Sequence, residues 1–485
     1  MLQQALTTTS LLRRLENLEA AIERLQAENA RLQTELACLQ AENARLQAEN
    51  AELRRRLGMH SSNSQKPPSR DGYRKKRASS ALPKAKRNFG GQKGHKGKTR
   101  CAVEKPDRVV VYLPKACKPC GRSFEGERAH RVVSKRQVFA LPQPKREVTE
   151  HQMGDIECCG CVQQGEYPPA IRASVPYGAG VRVLVTNLSV AHTMPLAQIC
   201  CRFADLYGDE LNSETVETAL AEGDELARPL EASMVEQLQQ AEGVQFDDTG
   251  LRMEGTLQWL DTASNAWDTH LFVHAKRGEA ALRSEASVLK AFGGSAVHDC
   301  LASSFKCSEC RLVLCHAHRV RALQGLIEPG SQWAKELQTF LLDRYKDAAH
   351  SPPLHGQAAA EKRQQYRAIL AQAEAEAPPP EPKPGKGRPK STPGRNLLKR
   401  LKDHDDAVVA FAWGEGVPFT NNQAERDLRP AKVTQKVRGC FRSQQGANVS
   451  ARLQAVISTC RKQERNVYAF LRALFAYQPV SLLAG

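Results

Sequence analysis

The sequence predicts a multidomain α/β protein in which a coiled coil, a cysteine-rich domain and a helical region precede a larger α/β domain. Three observations predict this order. Leucines recur every seven residues from 11 to 53, two C-x-x-C pairs lie between 117 and 161, and alternating β-rich segments from Val244 give way to helical pattern at 446–476. The length of 485 residues suits about two to four domains.

The charge balance favours a nucleic acid or another polyanion as partner. Lys and Arg number 70 against 53 Asp and Glu, which gives a net charge of +17 and a pI of about 9.3. The sequence has no run of eighteen apolar residues, and its N-terminus lacks the layout of a signal peptide. We therefore expect a cytoplasmic protein that does not enter a membrane.

The first predicted element is a leucine-zipper coiled coil over residues 1–57. Leucine occupies every d position, whereas three of the a positions carry Asn29, Asn43 and Asn50. Asparagine at an a position of the heptad lowers the stability of the coiled coil but disfavours other registers and higher oligomers. A parallel homodimer is therefore expected. A long solvated single helix is the alternative.

The second segment, residues 58–100, is predicted to be a flexible basic arm. Residues 66–100 hold thirteen Lys and Arg and one acid, Asp71. The segment is rich in Gly, Pro and Ser and has few apolar residues, so it cannot bury enough surface to fold alone. Such an arm would bind the DNA backbone by releasing counterions, with Lys75, Lys76, Arg77 and Lys96 as candidate contacts. A solubilising linker is the alternative, but it has no need of this charge.

The third segment, residues 101–168, is predicted to be a zinc ribbon. Two C-x-x-C pairs, Cys117 with Cys120 and Cys158 with Cys161, would close a tetrahedral structural Zn²⁺ site, and the segment between them alternates like short strands. The 37-residue loop is about twice the usual spacing, which costs only about 0.6 kcal/mol. Cys159 is taken as a bystander. Unligated cysteines and an iron–sulfur cluster are the alternatives.

The rest of the chain divides into a helical region and the α/β domain. Residues 169–242 read as helices that could form a helix-turn-helix for DNA binding. Residues 243–470 read as strands followed by helices, with an insertion at about 320–410 that contains a Pro- and charge-rich tract. Residues 471–485 are expected to form a C-terminal tail.

Acidic residues at strand ends mark a candidate catalytic site. Asp247 and Asp248 follow an apolar strand, Asp299 ends a second one, and Glu425 opens a polar helical segment. Carboxylates in this arrangement suit two-metal phosphoryl chemistry, because Mg²⁺, or Mn²⁺ in its place, prefers oxygen ligands. On spacing alone, turn and N-cap acids explain these residues as well.

Basic residues surround Glu425. Arg429 lies four residues after it, on the same helical face, where it could steady the carboxylate, bind a phosphate or form a structural ion pair. Arg426, Lys432 and Lys436 continue the basic character and are candidate contacts to the DNA backbone, with a solvated surface as the alternative.

A second cysteine cluster has the spacing of a compact zinc knuckle: Cys307, Cys310, Cys315 and His318. The alternative is that Cys315 and His318 pack beside the strand or orient groups of the active site. We favour this alternative, in which Cys307 and Cys310 have no metal role.

Several segments together carry a family resemblance: SSNSQKPPSRDG, GGQKGHKGKTR, the paired C-x-x-C, FDDTGLRMEG before QWL, VHDCLASSF before LCHAHRVRAL, and VPFTNNQAERDLRPAKVTQKVRGCFRSQQGA. Over nearly its whole length the chain resembles DDE transposases of the bacterial insertion-sequence family numbered sixty-six. The resemblance implies an RNase H-like catalytic domain with a helical insertion, and it places the three acidic roles on Asp247, Asp299 and Glu425. The family usually has Asp-Glu-Thr where Asp247, Asp248 and Thr249 stand here, so either aspartate could be the first ligand.

The resemblance implies a transposase that binds insertion-sequence ends and carries out metal-dependent cleavage and strand transfer. Its expected partners are DNA ends and target DNA, a second copy or a larger synaptic oligomer through the zipper, and small companion proteins of the same element. We expect it in the bacterial cytoplasm, on the nucleoid when bound. The alternatives are a non-catalytic dimeric zinc-ribbon DNA-binding regulator and a nuclease that cuts junctions without joining strands.

Overall fold

A computed structural model describes residues 2–60, 63–64, 101–126, 131–169, 171, 176–300, 305, 309–348, 353–380, 391–413 and 417–482. The chain is mixed α/β, with a long N-terminal helix and a mixed sheet, which confirms the predicted class. It divides into two compact units. Among the described residues no helix combines the length and apolarity that a membrane span requires.

In chain order the helices and strands are α1 (Leu2–Leu57), β1 (Asp155–Cys158), β2 (Cys161–Gln164), α2 (Ala179–Thr186), α3 (Leu196–Tyr207), α4 (Ser213–Gln240), β3 (Gly243–Met253), β4 (Thr256–Ser264), β5 (Thr269–His274), α5 (Glu279–Leu282), β6 (Ser295–His298), β7 (Arg311–Leu314), α6 (His316–Ile327), α7 (Gln332–Ala348), α8 (Gly356–Glu376), α9 (Pro393–Asp403), α10 (Asp405–Val409), α11 (Asn422–Arg438), α12 (Gln444–Lys462) and α13 (Val467–Phe475). A π-helical segment, Asn187–Ala191, follows α2, and short 3₁₀ segments lie at Val288–Ala291 and Ala410–Ala412.

The first unit draws on residues 1–81, 317–351 and 355–404, and its described part is helical. Helices α7, α8 and α9 pack together around Tyr366, whose hydroxyl donates a 3.0 Å hydrogen bond to the Leu401 carbonyl. The Glu376 carboxylate accepts from the Gln332 and Trp333 amides and so caps the start of α7. This unit contains most of the predicted insertion at about 320–410, whereas residues 405–410 belong to the second unit.

Helix α1 carries the predicted leucine stripe on an exposed face. Its exposed apolar residues are Leu15, Leu18, Ile22, Leu25, Leu32, Leu36, Leu39, Leu46, Leu53 and Leu57. After the helix, Asn63 is buried and donates to the Glu328 carboxylate at 2.5 Å.

The second unit is built on a five-stranded sheet of order β5-β4-β3-β6-β7. Strands β3, β4 and β5 are antiparallel neighbours, whereas β6 and β7 run parallel to β3. The β3–β4 hairpin turns at Glu254 and Gly255, both with positive φ, which matches the twist of the strands it joins.

Helices cover both faces of this sheet. Leu260 and Leu271 point into a core formed by α2, α4, α12 and α13, whereas Val244, Ala263 and Ala296 pack on the other face around Phe292. Helix α4 thus joins the sheet core with Leu230 and Met234. In the region read as a possible helix-turn-helix, α4 is 28 residues long and serves as a core helix.

The cysteine-rich segment contains less regular structure than its alternation predicts. The hairpin β1–β2 pairs Cys158 with Cys161, but residues 131–154 form no strand. At the other end of the chain, α13 runs past residue 470 and buries Leu471, Leu474 and Phe475. The apolar spacing of Phe470, Leu471 and Leu474 accounts for this burial.

Candidate active site

Two of the predicted acids lie level on neighbouring strands. Strands β3 and β6 are parallel with Gln245 opposite Val297, so Asp247, two residues further on, lies beside Asp299, the first residue after β6. Adjacent strands are about 4.8 Å apart. Both side chains are half-buried. The register thus brings together two carboxylates that lie 52 positions apart in the sequence.

The third acid lies on a helix that is tied along β3. At the start of α11, the Asn421 side-chain amide donates to the Phe246 carbonyl at 2.8 Å. Further along, the Lys432 ammonium donates to the Gly250 carbonyl at 2.8 Å, and after the helix the Phe441 amide donates to the Arg252 carbonyl at 3.0 Å. Glu425 lies in the first turn of α11, where the helix dipole favours a carboxylate.

The electrostatics of Asp247 report this convergence. Burial, repulsion from Asp299 and smaller repulsions from Glu425 and Asp248 raise the pKa of Asp247 to about 8, against the opposing effect of a hydrogen bond from the Asp248 amide. The site therefore concentrates negative charge that a bound cation would relieve. The donor types of these three carboxylates suit Mg²⁺ and Mn²⁺, which prefer oxygen ligands, although in the described structure their oxygens do not all lie within 4.8 Å of one another.

Strand alternation separates the two neighbouring aspartates. Gln245 and Asp247 share the face that α11 covers, because the Gln423 amide donates to the Gln245 side chain at 2.9 Å. Asp248 points to the opposite face, where its carboxylate pairs with Arg277 at 2.8 Å. Only Asp247 shares the face of the helix that carries Glu425.

A second acidic pair occupies this opposite face. Asp261 on β4 lies opposite Asp248 on β3. Burial and repulsion from Asp248 raise the pKa of Asp261 to about 7, although Arg277 opposes the shift. The Arg277 guanidinium also lies 4.5 Å from the ring centroid of Trp259. A cavity of about 30 Å³, enough for one water, is lined by Asp247, Asp248, Asp261 and Asp299.

Cys315 supports the acidic site from β7. It is buried, and its sulfur accepts a hydrogen bond from the Asn421 amide at 3.1 Å, with Sγ within 4.8 Å of a Glu425 carboxylate oxygen. This contact fits the interpretation that Cys315 orients active-site groups. Cys310 packs instead against the cluster around Phe292, and Cys307 lies outside the described residues. His318 belongs to the other unit.

A buried ion pair that sequence reasoning missed lies beside Glu425. The Lys462 ammonium and Asp427 carboxylate are 2.8 Å apart, with side chains only 8% and 6% exposed. Asp427 also accepts from the hydroxyls of Ser264, Thr269 and Ser458 at 2.6, 3.2 and 3.0 Å. The pair joins α11, α12 and the β4–β5 connection, and so fixes the helix that carries Glu425.

The predicted basic contacts differ in how accessible they are. Arg426, Arg429 and Lys436 are exposed, and in the described part of the chain Arg429 makes no ion pair within 4.0 Å. Lys432 is engaged with β3, as above. Arg438 donates to the carbonyls of Ser189, Thr193 and Met194 and is therefore structural. The arm residues Lys75, Lys76, Arg77 and Lys96 lie outside the described residues.

The two C-x-x-C pairs form tight turns suited to metal ligation. The Gly121 amide donates to the Cys117 carbonyl at 2.8 Å, and hydrogen bonds from the Arg122 amide and from Cys117 lower the pKa of the Cys120 thiol. Cys158 and Cys161 flank a turn at Cys159 and Gly160, both with positive φ. The donor types fit Zn²⁺, although these four sulfurs do not converge in the described structure.

Comparison with known protein families gives two matches. The model of the family described as "Transposase IS66 family" matches residues 174–449, which include Asp247, Asp299 and Glu425. The model of a family of unknown function, DUF6444, matches residues 8–101. No curated protein matches the chain.

Proposed function

Because the chain belongs to the IS66 family of transposases, we propose that it binds the ends of an insertion sequence and cuts and joins DNA strands at Asp247, Asp299 and Glu425. The observation that carries this proposal is the proximity of the three carboxylates: Asp247 on β3, Asp299 directly after the parallel strand β6, and Glu425 on the helix tied along β3. The three acids constitute the DDE site in this proposal.

The topology supports an RNase H-like catalytic domain. Three antiparallel strands are continued by two parallel strands, the first acid lies in the central strand, and the second follows the neighbouring strand. The chain then departs into the helices α6 to α9 before α11 supplies Glu425. The order of the acids along these elements agrees with the order that the family resemblance implies.

Asp247, Asp299 and Glu425 would hold divalent ions, Mg²⁺ or Mn²⁺. Bound there, the ions would activate the attacking oxygen and stabilise the leaving oxygen of a phosphodiester. The chain itself supplies positioning. Cys315 and Asn421 hold the start of α11, Asp427 and Lys462 fix its flank, and Arg429 projects one turn beyond Glu425, where a phosphate can receive a bidentate contact.

The exposed stripe of α1 supports a parallel homodimer. In a parallel dimer, Asn29, Asn43 and Asn50 each meet their own copies at a positions, where the amides can hydrogen-bond to each other. Glu49 at g would then face Arg54 at e of the second copy. An antiparallel pair would instead set a row of g glutamates against an identical row, which is repulsive. The dimer is the proposed basis of synapsis between two element ends.

The remaining segments are proposed to hold DNA and shape the protein. Residues 66–100 carry a net charge of +12, which supports a backbone-binding arm. Cys117, Cys120, Cys158 and Cys161 would bind one structural Zn²⁺, and this would draw the two turns together. We place the protein in the bacterial cytoplasm, on the nucleoid when bound. Companion proteins of the element and a larger synaptic oligomer remain part of the proposal.

The non-catalytic regulator is less well supported. A zipper, an arm and a zinc ribbon would suffice for a regulator. Such a protein has no use for three neighbouring carboxylates, of which Asp247 has its pKa raised to about 8 by burial and by repulsion from Asp299 and Glu425. The acids thus favour an enzyme over a regulator.

A cleavage assay tests the proposal. The full-length chain is incubated with Mg²⁺ and a plasmid carrying the DNA that flanks the gene. Asp299→Asn should lower cleavage by at least about 10³-fold, because losing a metal ligand removes several kcal/mol of transition-state stabilisation. Binding to the ends should be unchanged. Asp248→Asn is the matched control, since that carboxylate lies on the other face and pairs with Arg277. Full cleavage by Asp299→Asn would refute the site.

A further inference from the structure

A cleft of about 700 Å³ lies beside the acidic site, on a neighbouring face of α11. Its walls are α11, α12 and the turn that follows the π-helical segment, and its cationic lining residues are Arg426, Arg429, Arg461 and Lys462, with His192 beside them. The volume is within the range of ligand sites in proteins. The cleft and the acidic site therefore share one helix, with Glu425 on one side and Arg426 on the other.

The cleft has an excess of positive charge that the chain does not neutralise. Lys462 pairs with Asp427, which among the described residues is the only acid that lines the cleft. In the described part of the chain, Arg426, Arg429 and Arg461 form no ion pair within 4.0 Å, and Arg426 contacts only the neutral Gln423 at 3.0 Å. All three guanidinium groups are on exposed residues. Neighbouring positive charges repel each other, and this repulsion costs free energy unless a bound anion offsets it.

The cleft wall is also held in place. Arg438 binds three carbonyls around the turn at Ser189 and Met194, and Thr193 has the uncommon positive φ of 56°. This anchoring keeps the turn that carries His192 against the end of α11. The opening is therefore built by specific contacts.

The lining points to phosphate groups and away from base recognition. Apart from His192, its described lining has no aromatic side chain on which bases could stack, while Pro430 and Val433 give it an apolar part. Arginine forks match phosphate oxygens bidentately. Contacts of this kind position nucleic acid without reading its sequence.

We propose that this cleft binds the phosphodiester backbone of the DNA next to the scissile bond, with Arg461 and His192 extending the path that begins at Arg426 and Arg429. This inference rests on the proposed function of the acidic site. It adds α12 and the turn after α2 to the DNA-binding surface, and it assigns them a role that does not depend on base sequence.

Binding measured at several salt concentrations tests the proposal. The full-length chain is titrated with a labelled duplex of arbitrary sequence, and with its single strand, by fluorescence anisotropy. The salt slope is the steepness with which the logarithm of the binding constant falls with the logarithm of the salt concentration. Arg426→Gln/Arg461→Gln should remove two phosphate contacts, so this slope should decrease by about 1.8 for duplex or about 1.4 for single strand. Between about 50 and about 200 mM salt, the wild-type-to-variant affinity ratio should fall about 12-fold for duplex and about 7-fold for single strand.

Matched variants distinguish the cleft from general charge. Arg400→Gln/Arg472→Gln makes the same charge change on exposed residues of α9 and α13, outside the cleft, and should leave the slope near that of the wild type. Arg461→Lys keeps the charge and should retain most of the slope. An Arg426→Gln/Arg461→Gln slope equal to that of either the wild type or the α9–α13 control would overturn the proposal.

The two proposals fail in different ways. If the cleft is wrong, Arg426→Gln/Arg461→Gln binds and cleaves DNA like wild type, while Asp299→Asn still abolishes cleavage. If the acidic site is wrong, Asp299→Asn cleaves normally, yet the salt slopes still report on the cleft.

Discussion

The buried ion pair between Lys462 and Asp427 leads to a strong stability prediction. The Lys462 ammonium makes four contacts: to Asp427 at 2.8 Å, to the carbonyls of Asn265 and Asp268 at 2.9 and 2.7 Å, and to the Ser264 hydroxyl at 2.8 Å. Lys462→Met keeps the apolar stem but removes the charge. Asp427 then remains buried with hydroxyl and amide donors only.

The expected cost follows from this geometry. Breaking a buried pair on one side leaves an uncompensated charge and costs about 3–5 kcal/mol. Burial lowers the pKa of Lys462 although Asp427 opposes the shift, so part of the desolvation cost is already present in the folded protein. We therefore expect the lower half of that range. The double variant Lys462→Met/Asp427→Leu should lose less than the sum of the single variants, because it removes both charges.

Urea unfolding followed by tryptophan fluorescence measures the effect, with the midpoint shifted at an unchanged m-value. Lys290→Met is the matched control, since Lys290 is 47% exposed and pairs with Glu285 at the surface, where such pairs contribute about 0–1 kcal/mol. A loss for Lys462→Met no greater than that for Lys290→Met would refute the reasoning.

Three further predictions concern pH, zinc and assembly. Burial raises the pKa of Asp268 to about 6, so this carboxyl favours folding below pH ~4 and loses that contribution as pH rises through about 6. Between those values, this carboxyl should make the free energy of unfolding of the wild type fall by at most about 1.4 kcal/mol per pH unit. Asp268→Asn should remove this contribution, and identical profiles of stability against pH for the wild type and the variant would contradict the prediction. Elemental analysis of the wild type should find one Zn²⁺ per chain. Cys158→Ser should lose this zinc, whereas Cys159→Ser should keep it; equal zinc in both variants would count against the ribbon. Leu32→Lys/Leu39→Lys should convert the dimer to monomer in light scattering, while Ala27→Lys/Ala41→Lys, on the opposite helical face, should remain dimeric.

The position of the acidic residues could be predicted in part from the sequence. Asp299 and Asp247 were expected near each other because both follow apolar strand patterns. The choice between Asp247 and Asp248 could not be made, because alternation gives two faces but does not say which one α11 covers. That choice depends on long-range contacts such as Asn421 to Phe246.

The Asp427–Lys462 pair left a signal that was overlooked. Ala424, Asp427 and Leu428 are all buried and follow helical spacing, so an acid stands on the apolar face of α11. An acid in that position requires a buried partner. Its identity could not be read from the sequence, because Lys462 lies 35 positions away on another helix. At 131–154 the sequence predicts short strands that the structure does not contain. Alternation of apolar and polar residues does not by itself provide a neighbouring strand with which to pair.

The chain leaves the sheet after β7 and comes back to the start of α11 beside the point where it left. Cys315, at the end of β7, meets Asn421, and the His316 amide donates to the Phe419 carbonyl at 3.0 Å, so the ends of the intervening segment are adjacent. A segment with adjoining ends can change length without disturbing the strands that flank it. Helices α7, α8 and α9, which lie in this segment, thus form an exchangeable cassette. Lineages could lengthen, shorten or replace this cassette while the geometry of Asp247, Asp299 and Glu425 is inherited unchanged.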